Sequence, residues 1–291
     1  MKIGFIGLGS LGTPIAMNIL ESGHELVVYN RTIAKTKPLA EKGAIVSTDI
    51  AGLAKQCDII FTIVSDDAAL KEITSGEDGM IKNMKPGSIH ISMSTILPKT
   101  AEDIAALHQQ NKQHYVASPV FGRPEAAAAK KLNFAISGPE AVRQKVEPVL
   151  KDAGAANVFH FGDSLTAANT VKLCGNFLIA GALEAIGESI NLANASGVNA
   201  QEMWGMFLQT LFNAPVYHNY SKIILDRKFE PAAFTAKLGL KDLKLVLQQG
   251  NSVNQAMPLA TLVKDNMEKL VNSGHAETDW SAVSTTVDKN G

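Results

Sequence analysis

The N-terminal stretch "KIGFIGLGSLGTPIAMNIL" limits the possible folds more than any other. It places Gly7-Leu8-Gly9-Ser10-Leu11-Gly12, a G-x-G-x-x-G pattern, directly between a continuous apolar run and a helical one. Each glycine has a separate physical job there. Gly7 permits a tight turn, Gly9 lets backbone approach a pyrophosphate, and Gly12 lets helix and strand pack closely. The helix that follows offers its first free N–H groups to phosphate oxygens. Pro14 falls in its first turn, where a missing N–H costs little. Three glycines can also make a tight turn and nothing more, but strand, helix and N-terminal position all favour nucleotide binding.

The alternation continues through the first half. Short β-rich runs occur at "KIGFIG", "ELVVYN", "DIIFTIVS", "SIHISMS", "HYVASPV", "NFAISG" and "NVFHFG". Helix-like stretches at Leu11–Glu21, Ala51–Gln56, Pro98–Asn111 and Glu140–Lys151 separate them. Repeated strand-then-helix order predicts an α/β domain built on a parallel-rich sheet. The nearly unbroken apolar runs "KIGFIG" and "DIIFTIV" fit strands buried on both faces. After Gly162 the character changes. Ser164–Ser196 reads as one helix, about 50 Å long at 1.5 Å per residue, carrying the small residues Gly175, Gly181, Ala182, Ala185 and Gly187. Only helical segments follow, at Gln201–Leu211, Val216–Leu225, Phe234–Gln249, Leu259–Asn272 and Trp280–Val287. The expectation is an α/β domain over residues 1–162 and an all-α domain over 163–291, joined by the long interdomain helix. A cleft between two such halves is the default ligand site.

A chain of 291 residues suits two cores. With 27 basic and 28 acidic residues, the net charge of −1 gives no electrostatic case for nucleic acid or an anionic membrane. The most apolar stretch, "LCGNFLIAGALEAIG", is flanked by Lys172 and interrupted by Glu184, which argues against a membrane span. Cys57 and Cys174 have no partner spacing, which points to a reducing, cytoplasmic setting. The seven histidines show no metal-ligand spacing, so no metal is expected.

The end of the second strand bears on which dinucleotide would bind. A carboxylate there would serve the ribose hydroxyls of NAD. This chain has Asn30-Arg31-Thr32, with Lys35 close behind. Arg31 and Lys35 suit a 2′-phosphate, and Asn30 and Thr32 can donate hydrogen bonds to it, so NADP is expected. The bland alternative is a solvated helix start. On the long helix, Lys172 and Asn176 are four apart and share a face among Val171, Leu173, Phe177 and Leu178. A lysine in such a stripe either snorkels to a helix edge or is kept for proton transfer.

These segments together resemble the β-hydroxyacid dehydrogenase family, which includes 3-hydroxyisobutyrate dehydrogenases and glyoxylate/succinic semialdehyde reductases. "GFIGLGSLGTPIAMNIL" is similar to its cofactor loop, with Leu11 where methionine is usual. "MSTILP" at 93–98 resembles the serine/threonine motif beside the nicotinamide, and "ASPVFG" at 117–122 stands at the substrate motif. "NTVKLCGN" resembles the catalytic motif, "FTAKLGLKDLKLVL" at 234–247 the C-terminal motif, and "DWSAV" at 279–283 a common ending.

The resemblance implies a Rossmann domain, a long interdomain helix and an all-α domain, assembled as a homodimer or homotetramer. It implies hydride transfer between a nicotinamide and a small carbonyl or hydroxyacid substrate. Lys172 would give or take the proton, with Asn176 and Thr95 positioning the reacting oxygen. Ser94, Thr95, Phe121, Gly122, Arg123, Phe234 and Asp242 would meet the substrate. Gly7 to Gly12, Asn30, Arg31, Thr32, Lys35, Val64, Ser65, Thr95 and Lys241 would meet NADP. The Asn30-Arg31-Thr32 signature is similar to that of the family's NADP-using reductases, which points to reduction.

One motif departs. The family's substrate run is typically Pro-Val-Ser-Gly-Gly, whereas this chain has Pro119-Val120-Phe121-Gly122-Arg123. The hydroxyl that would hold a carboxylate is replaced by a ring. Arg123 could clamp an acid bidentately while Phe121 packs on its chain. Alternatively the pocket is apolar and Arg123 points elsewhere, or Phe121 turns into the core. An imine reductase-like enzyme and a non-catalytic NADP-binding interaction protein are the rival functions. Retention of Lys172 weighs against both.

Overall fold

A computed structural model describes residues 1–288. Residues 289–291, the last three of the expected second domain, lie outside the described residues. The chain divides into two compact units, Met1–Lys172 and Leu173–Gly291.

The first unit begins β1 (Lys2–Ile6), α1 (Gly12–Glu21), β2 (Glu25–Tyr29), α2 (Lys37–Ala40), β3 (Ile45–Val46), α3 (Ile50–Gln56) and β4 (Ile59–Thr62). It continues through α4 (Asp67–Ser75), β5 (Ile89–Ser92), α5 (Pro98–Gln110), β6 (His114–Ala117), β7 (Val120–Phe121) and α6 (Pro124–Ala128). β8 (Leu132–Ile136), α7 (Glu140–Asp152) and β9 (Ala155–His160) complete it, and α8 (Ala167–Ala195) starts within it. Six strands pair all-parallel in the order β3-β2-β1-β4-β5-β6. The central strands are apolar on both faces because helices cover both. Phe5 of β1 stacks on its register partner Phe61 of β4 at 5.9 Å, and both rings are fully buried. Burial of such a side chain contributes about 1.5–3 kcal/mol.

The strand order reverses beside β1. In open α/β sheets the crevice beyond the strand C-termini at this switch point is the ligand site. The loops after β1, β2, β4 and β5 all leave from that edge, and they carry Gly7–Gly12, Asn30–Thr32, Val64–Ser65 and Ser94–Thr95.

The sheet is smaller than the seven β-rich runs suggest. "HYVASPV" breaks into β6 and β7, and β7, β8 and β9 form a separate three-stranded sheet. β7 pairs antiparallel with β8, and β8 pairs parallel with β9. The cause is Pro119. Ser118 makes the last ladder bond to β5, its N–H reaching the Ser92 carbonyl at 2.8 Å. Pro119 has no N–H to continue. Its carbonyl instead accepts the Ala135 N–H at 3.1 Å and opens the second ladder.

The second unit holds the rest of α8, then α9 (Ala200–Gln209), α10 (Pro215–Asp226), α11 (Ala236–Ser252) and α12 (Pro258–Leu270). A 3-10 segment, Trp280–Val287, follows. α8 is long and apolar enough to cross a bilayer by length and composition. Its Ala180, Leu183, Ile186, Ile190 and Ala193 are nevertheless buried in the core of this unit with Trp204, Leu243, Met267 and Trp280. Its hydropathy is that of a packed core helix. The small residues of α8 are partly used within the chain. A Cβ on Gly187 would stand 2.5 Å from Ser284 Cβ, so this glycine admits the C-terminal segment. Trp280 explains "DWSAV": its indole N–H donates to the Tyr220 hydroxyl at 3.0 Å, while the Asp279 side chain accepts the Ser281 N–H at 3.1 Å.

Candidate active site

The glycine loop is shaped by close approaches. Gly7 has φ +106°, and a Cβ there would lie 2.1 Å from the Ile63 carbonyl oxygen. A Cβ on Gly12 would lie 2.0 Å from the Gly7 carbonyl oxygen. Any side chain at either position would push β1, β4 and α1 apart. Gly9 is different: nothing stands within 4 Å of the Cβ it lacks. Its bareness leaves open ground over the loop, where a phosphate chain can reach the backbone. No side chain caps α1, and no acidic residue stands in its first turn, so the helix's positive end meets no competing carboxylate. The residues present therefore fit a dinucleotide.

Two side chains brace the loops around this edge. The Asn30 amide oxygen accepts the Leu8 N–H at 2.9 Å, and its amide nitrogen donates to the Thr32 carbonyl at 2.9 Å. Asn30 thus ties the glycine loop to the end of β2. Arg31, Thr32 and Lys35 are exposed just beyond it. Ser94 is buried, and its hydroxyl oxygen accepts the Val64 N–H at 2.9 Å, tying the loop after β4 to the loop after β5. Thr95 beside it is half-buried and Ser65 exposed.

A second cluster forms where β7 meets the start of α8. The Lys172 ammonium donates to the Val120 carbonyl at 2.8 Å and sits 4.3 Å from the centroid of the Phe121 ring. Phe121 pairs with Asn133 across the small sheet and packs in an apolar cluster with Leu165, Ala168 and Val171. The ring is therefore turned partly inward. Gly122 has φ +147°, and a Cβ there would meet Leu132 at 2.4 Å. Arg123 follows, its Nε 4.0 Å from the Glu125 carboxylate. The Ser137 hydroxyl accepts the Ala168 N–H at 3.0 Å and seats the first turn of α8.

In the second unit, Asn176 donates to Asp242 Oδ2 at 2.5 Å, and Lys241 lies 2.6 Å from Asp242 Oδ1. Asn176 and Asp242 are both buried, at 5% and 2% exposure. Phe234 is packed edge-on to Trp280, with centroids 4.8 Å apart. The expected residues thus gather into three groups: the loops at the sheet edge, the corner of Lys172 with Phe121, and the triad of Asn176, Lys241 and Asp242.

Several partners escape a reading by residue type. The Val120 carbonyl has no letter of its own, and the pairing of Asn176 with Asp242 needs tertiary structure. A buried polar chain also lies behind the sheet edge. Thr62, at the end of β4, bonds His90 at 2.8 Å; His90 bonds His108 at 2.9 Å; His108 bonds the Gln113 amide oxygen at 2.9 Å. The Gln113 amide nitrogen donates to the Ile81 and Met84 carbonyls, so its oxygen can only accept. His108 must then donate from Nδ1; as a neutral ring it accepts at Nε2, so that His90 donates from Nδ1 and Thr62 donates to His90 Nε2. Both rings are neutral in this arrangement. Burial holds His90 well below the usual histidine range and brings His108 down to about 4.

Among the described residues no cluster of three or more His, Cys, Asp and Glu could hold a metal ion. Cys57 is buried and its thiol is pushed up by burial to about 12, so it is unreactive at neutral pH.

The likeness to known proteins covers both parts of the chain. Residues 2–162 match the NAD binding domain of 6-phosphogluconate dehydrogenase, and residues 166–287 match the NAD-binding domain of NADP-dependent 3-hydroxyisobutyrate dehydrogenase. The uncharacterized oxidoreductase YfjR of Bacillus subtilis (strain 168) is 40% identical over 97% of this chain and 98% of its own. A probable mitochondrial 3-hydroxyisobutyrate dehydrogenase of Dictyostelium discoideum is 28% identical over 99% of this chain and 91% of its own. The crystal structure of a 3-hydroxyisobutyrate dehydrogenase from Salmonella typhimurium superposes with a TM-score of 0.88, at 26% identity, over 98% of this chain and 99% of that one. With fold and likeness in agreement along its length, the chain belongs to the β-hydroxyacid dehydrogenase family of NAD(P)-dependent oxidoreductases.

Proposed function

We propose that the protein is an NADP-dependent reductase of small aldehyde-acids, forming the corresponding hydroxyacids, with Lys172 as the proton donor. The observation that carries this reading is the Lys172 ammonium itself, fixed on the Val120 carbonyl at 2.8 Å in a chain of this family. NADPH, held by the loop Gly7–Gly12, would supply hydride chemistry when bound. The protein's task is to hold the substrate oxygen and protonate it as charge develops there. The Lys172 ammonium, anchored on the Val120 carbonyl at 2.8 Å, is the group assigned to that oxygen. Asn176, four positions along α8, is held by Asp242 and orients the substrate. The cofactor would lie on the loop Gly7–Gly12, with Arg31 and Lys35 at its 2′-phosphate.

Phe121 cannot bind a carboxylate. The turn that follows supplies Gly122, which is free of a side chain, and Arg123, whose guanidinium matches a carboxylate. The acid end of the substrate is therefore assigned to Arg123. A screen with NADPH over aldehyde-acids, ketoacids, uncharged aldehydes and a cyclic imine tests the reading. Turnover should favour the aldehyde-acids, and Arg123→Ala should raise KM for the anionic substrates alone. Preference for the imine, or equal losses on neutral aldehydes, would overturn the assignment.

A homodimer or homotetramer is part of the same proposal. Leu178 and Leu192 of α8 are 68% and 69% exposed, and with Ala185 they form a heptad-spaced apolar stripe. Sedimentation at the mass of a single copy would contradict it.

A further inference from the structure

We propose that Phe121 is a positioning residue for Lys172: its ring face and the Val120 carbonyl together keep the amine charged and aimed. The meaning of this for catalysis rests on the reading of Lys172 as proton donor, while the electrostatics stand apart from it.

The geometry supplies two interactions that prefer an ammonium to a neutral amine. The first is the hydrogen bond to Val120 at 2.8 Å, which is stronger from a charged donor. The second is the ring. Its centroid lies 4.3 Å from Nζ, inside the roughly 6 Å range over which the negative face of an aromatic ring attracts a cation. A neutral amine gains less from the ring, because it carries no net charge for the ring's negative face to attract. Partial burial of Lys172 acts in the opposite sense, because desolvation disfavours the charge. The ring offsets that loss where a serine, the family's usual residue here, has no π face to offer.

The ring is also held in place before any substrate arrives. Register fixes Phe121 against Asn133, and Leu165, Ala168 and Val171 share its apolar cluster. Phe121 and Val120 are adjacent on β7, so one short strand presents both the carbonyl and the ring to the same ammonium. Other charges bear on this corner. Arg123 and Glu125 follow in the turn and α6. Tyr115 belongs to the same apolar cluster, and Asp67 of α4 acts on it electrostatically. Burial keeps the Tyr115 phenol neutral, and the next ionisable side chains on α8 are Cys174 and Glu184. These charged and ionisable groups are common to the wild type and to variants at residue 121, so the variants are compared on one background of charge.

The test is a direct titration of Lys172 by NMR, on the full chain with isotopically labelled lysine and without substrate. Loss of the signal in Lys172→Arg assigns it. Phe121→Leu keeps most of the apolar volume and removes the ring, and should lower the titration midpoint by about 0.4 to 1.5 pH units. Phe121→Trp should hold the midpoint or raise it. Trifluorophenylalanine at position 121 keeps the shape but weakens the ring's negative face, and should give an intermediate fall even if the leucine variant does not fold. A midpoint that stays within about 0.2 unit in the leucine and fluorinated proteins would overturn the inference. That failure is distinguishable from failure of the proposed function. An unmoved midpoint in an enzyme that still reduces aldehyde-acids sinks only the role of Phe121. A shifted midpoint in a protein that reduces no carbonyl sinks the reductase and leaves the electrostatics standing.

Discussion

Asn176 donates a hydrogen bond to Asp242, 66 positions further along the chain, at 2.5 Å, and the same carboxylate is ion-paired with Lys241 at 2.6 Å. Asp242 therefore has two partners for its charge, and Asn176 has one fixed orientation. Replacing Asp242 with alanine leaves a buried amide without its acceptor and takes away the carboxylate that Lys241 meets. Loss of a buried, charge-assisted bond costs about 2–4 kcal/mol. Denaturant unfolding of Asp242→Ala should show a loss of that order, accompanied by lower turnover. Asn176→Ala should be milder, about 1–2 kcal/mol, because Lys241 still pairs the carboxylate. Equal stability of both variants and the wild type would contradict this account of the triad.

Arg31 stands exposed beyond the end of β2, past the Asn30 brace. If it meets a 2′-phosphate, Arg31→Ala should weaken NADPH by roughly tenfold or more while NADH changes little. Titration calorimetry with the two cofactors separates these outcomes. Equal losses would remove Arg31 from the phosphate.

The buried chain from Thr62 to Gln113 makes a prediction about pH. His108 stays neutral in the folded protein down to about pH 4, whereas an unfolded histidine takes up its proton near 6.5. Unfolding therefore binds protons between these values, and stability rises with pH across that window. The contribution is fully present above pH 6.5 and declines as pH falls towards 4, at up to about 1.4 kcal/mol per unit. His90 acts in the same direction. Ring resonances of His108 should show no titration between pH 8 and 5 in the folded state. A midpoint near 6.5 would mean that the ring is neither buried nor bound as described.

Local constraints were the readable part of this fold. The turn at Gly7–Gly12 is written in letters because only glycine permits approaches of 2.1 Å and 2.0 Å to backbone oxygens. The helices α9 to α12 follow from apolar periodicity. Short elements were harder. α4 carried a signal in Asp66, whose side chain accepts the Ala69 N–H at 2.8 Å, and α6 is the alanine run, its Ala127 carbonyl accepting from buried Asn18 at 2.9 Å.

Pairing over distance was not readable. Pro119 explains why β7 leaves the main sheet, yet its choice of β8 depends on a register that no local pattern encodes. At the site, Asn30 reads as a phosphate donor by type, whereas its amide oxygen and nitrogen brace the loop. Phe121 reads as a departure from a substrate motif, and only coordinates reveal the ammonium above its ring.

The central claim is that Lys172 donates the proton, and its removal tests that most directly. Steady-state turnover of Lys172→Ala should be measured with NADPH and the best aldehyde-acid, alongside NADPH binding. Turnover should fall at least about a hundredfold while NADPH still binds, since the glycine loop and Arg31 are untouched. A loss of only a few-fold would contradict the assignment and take Lys172 out of the chemistry.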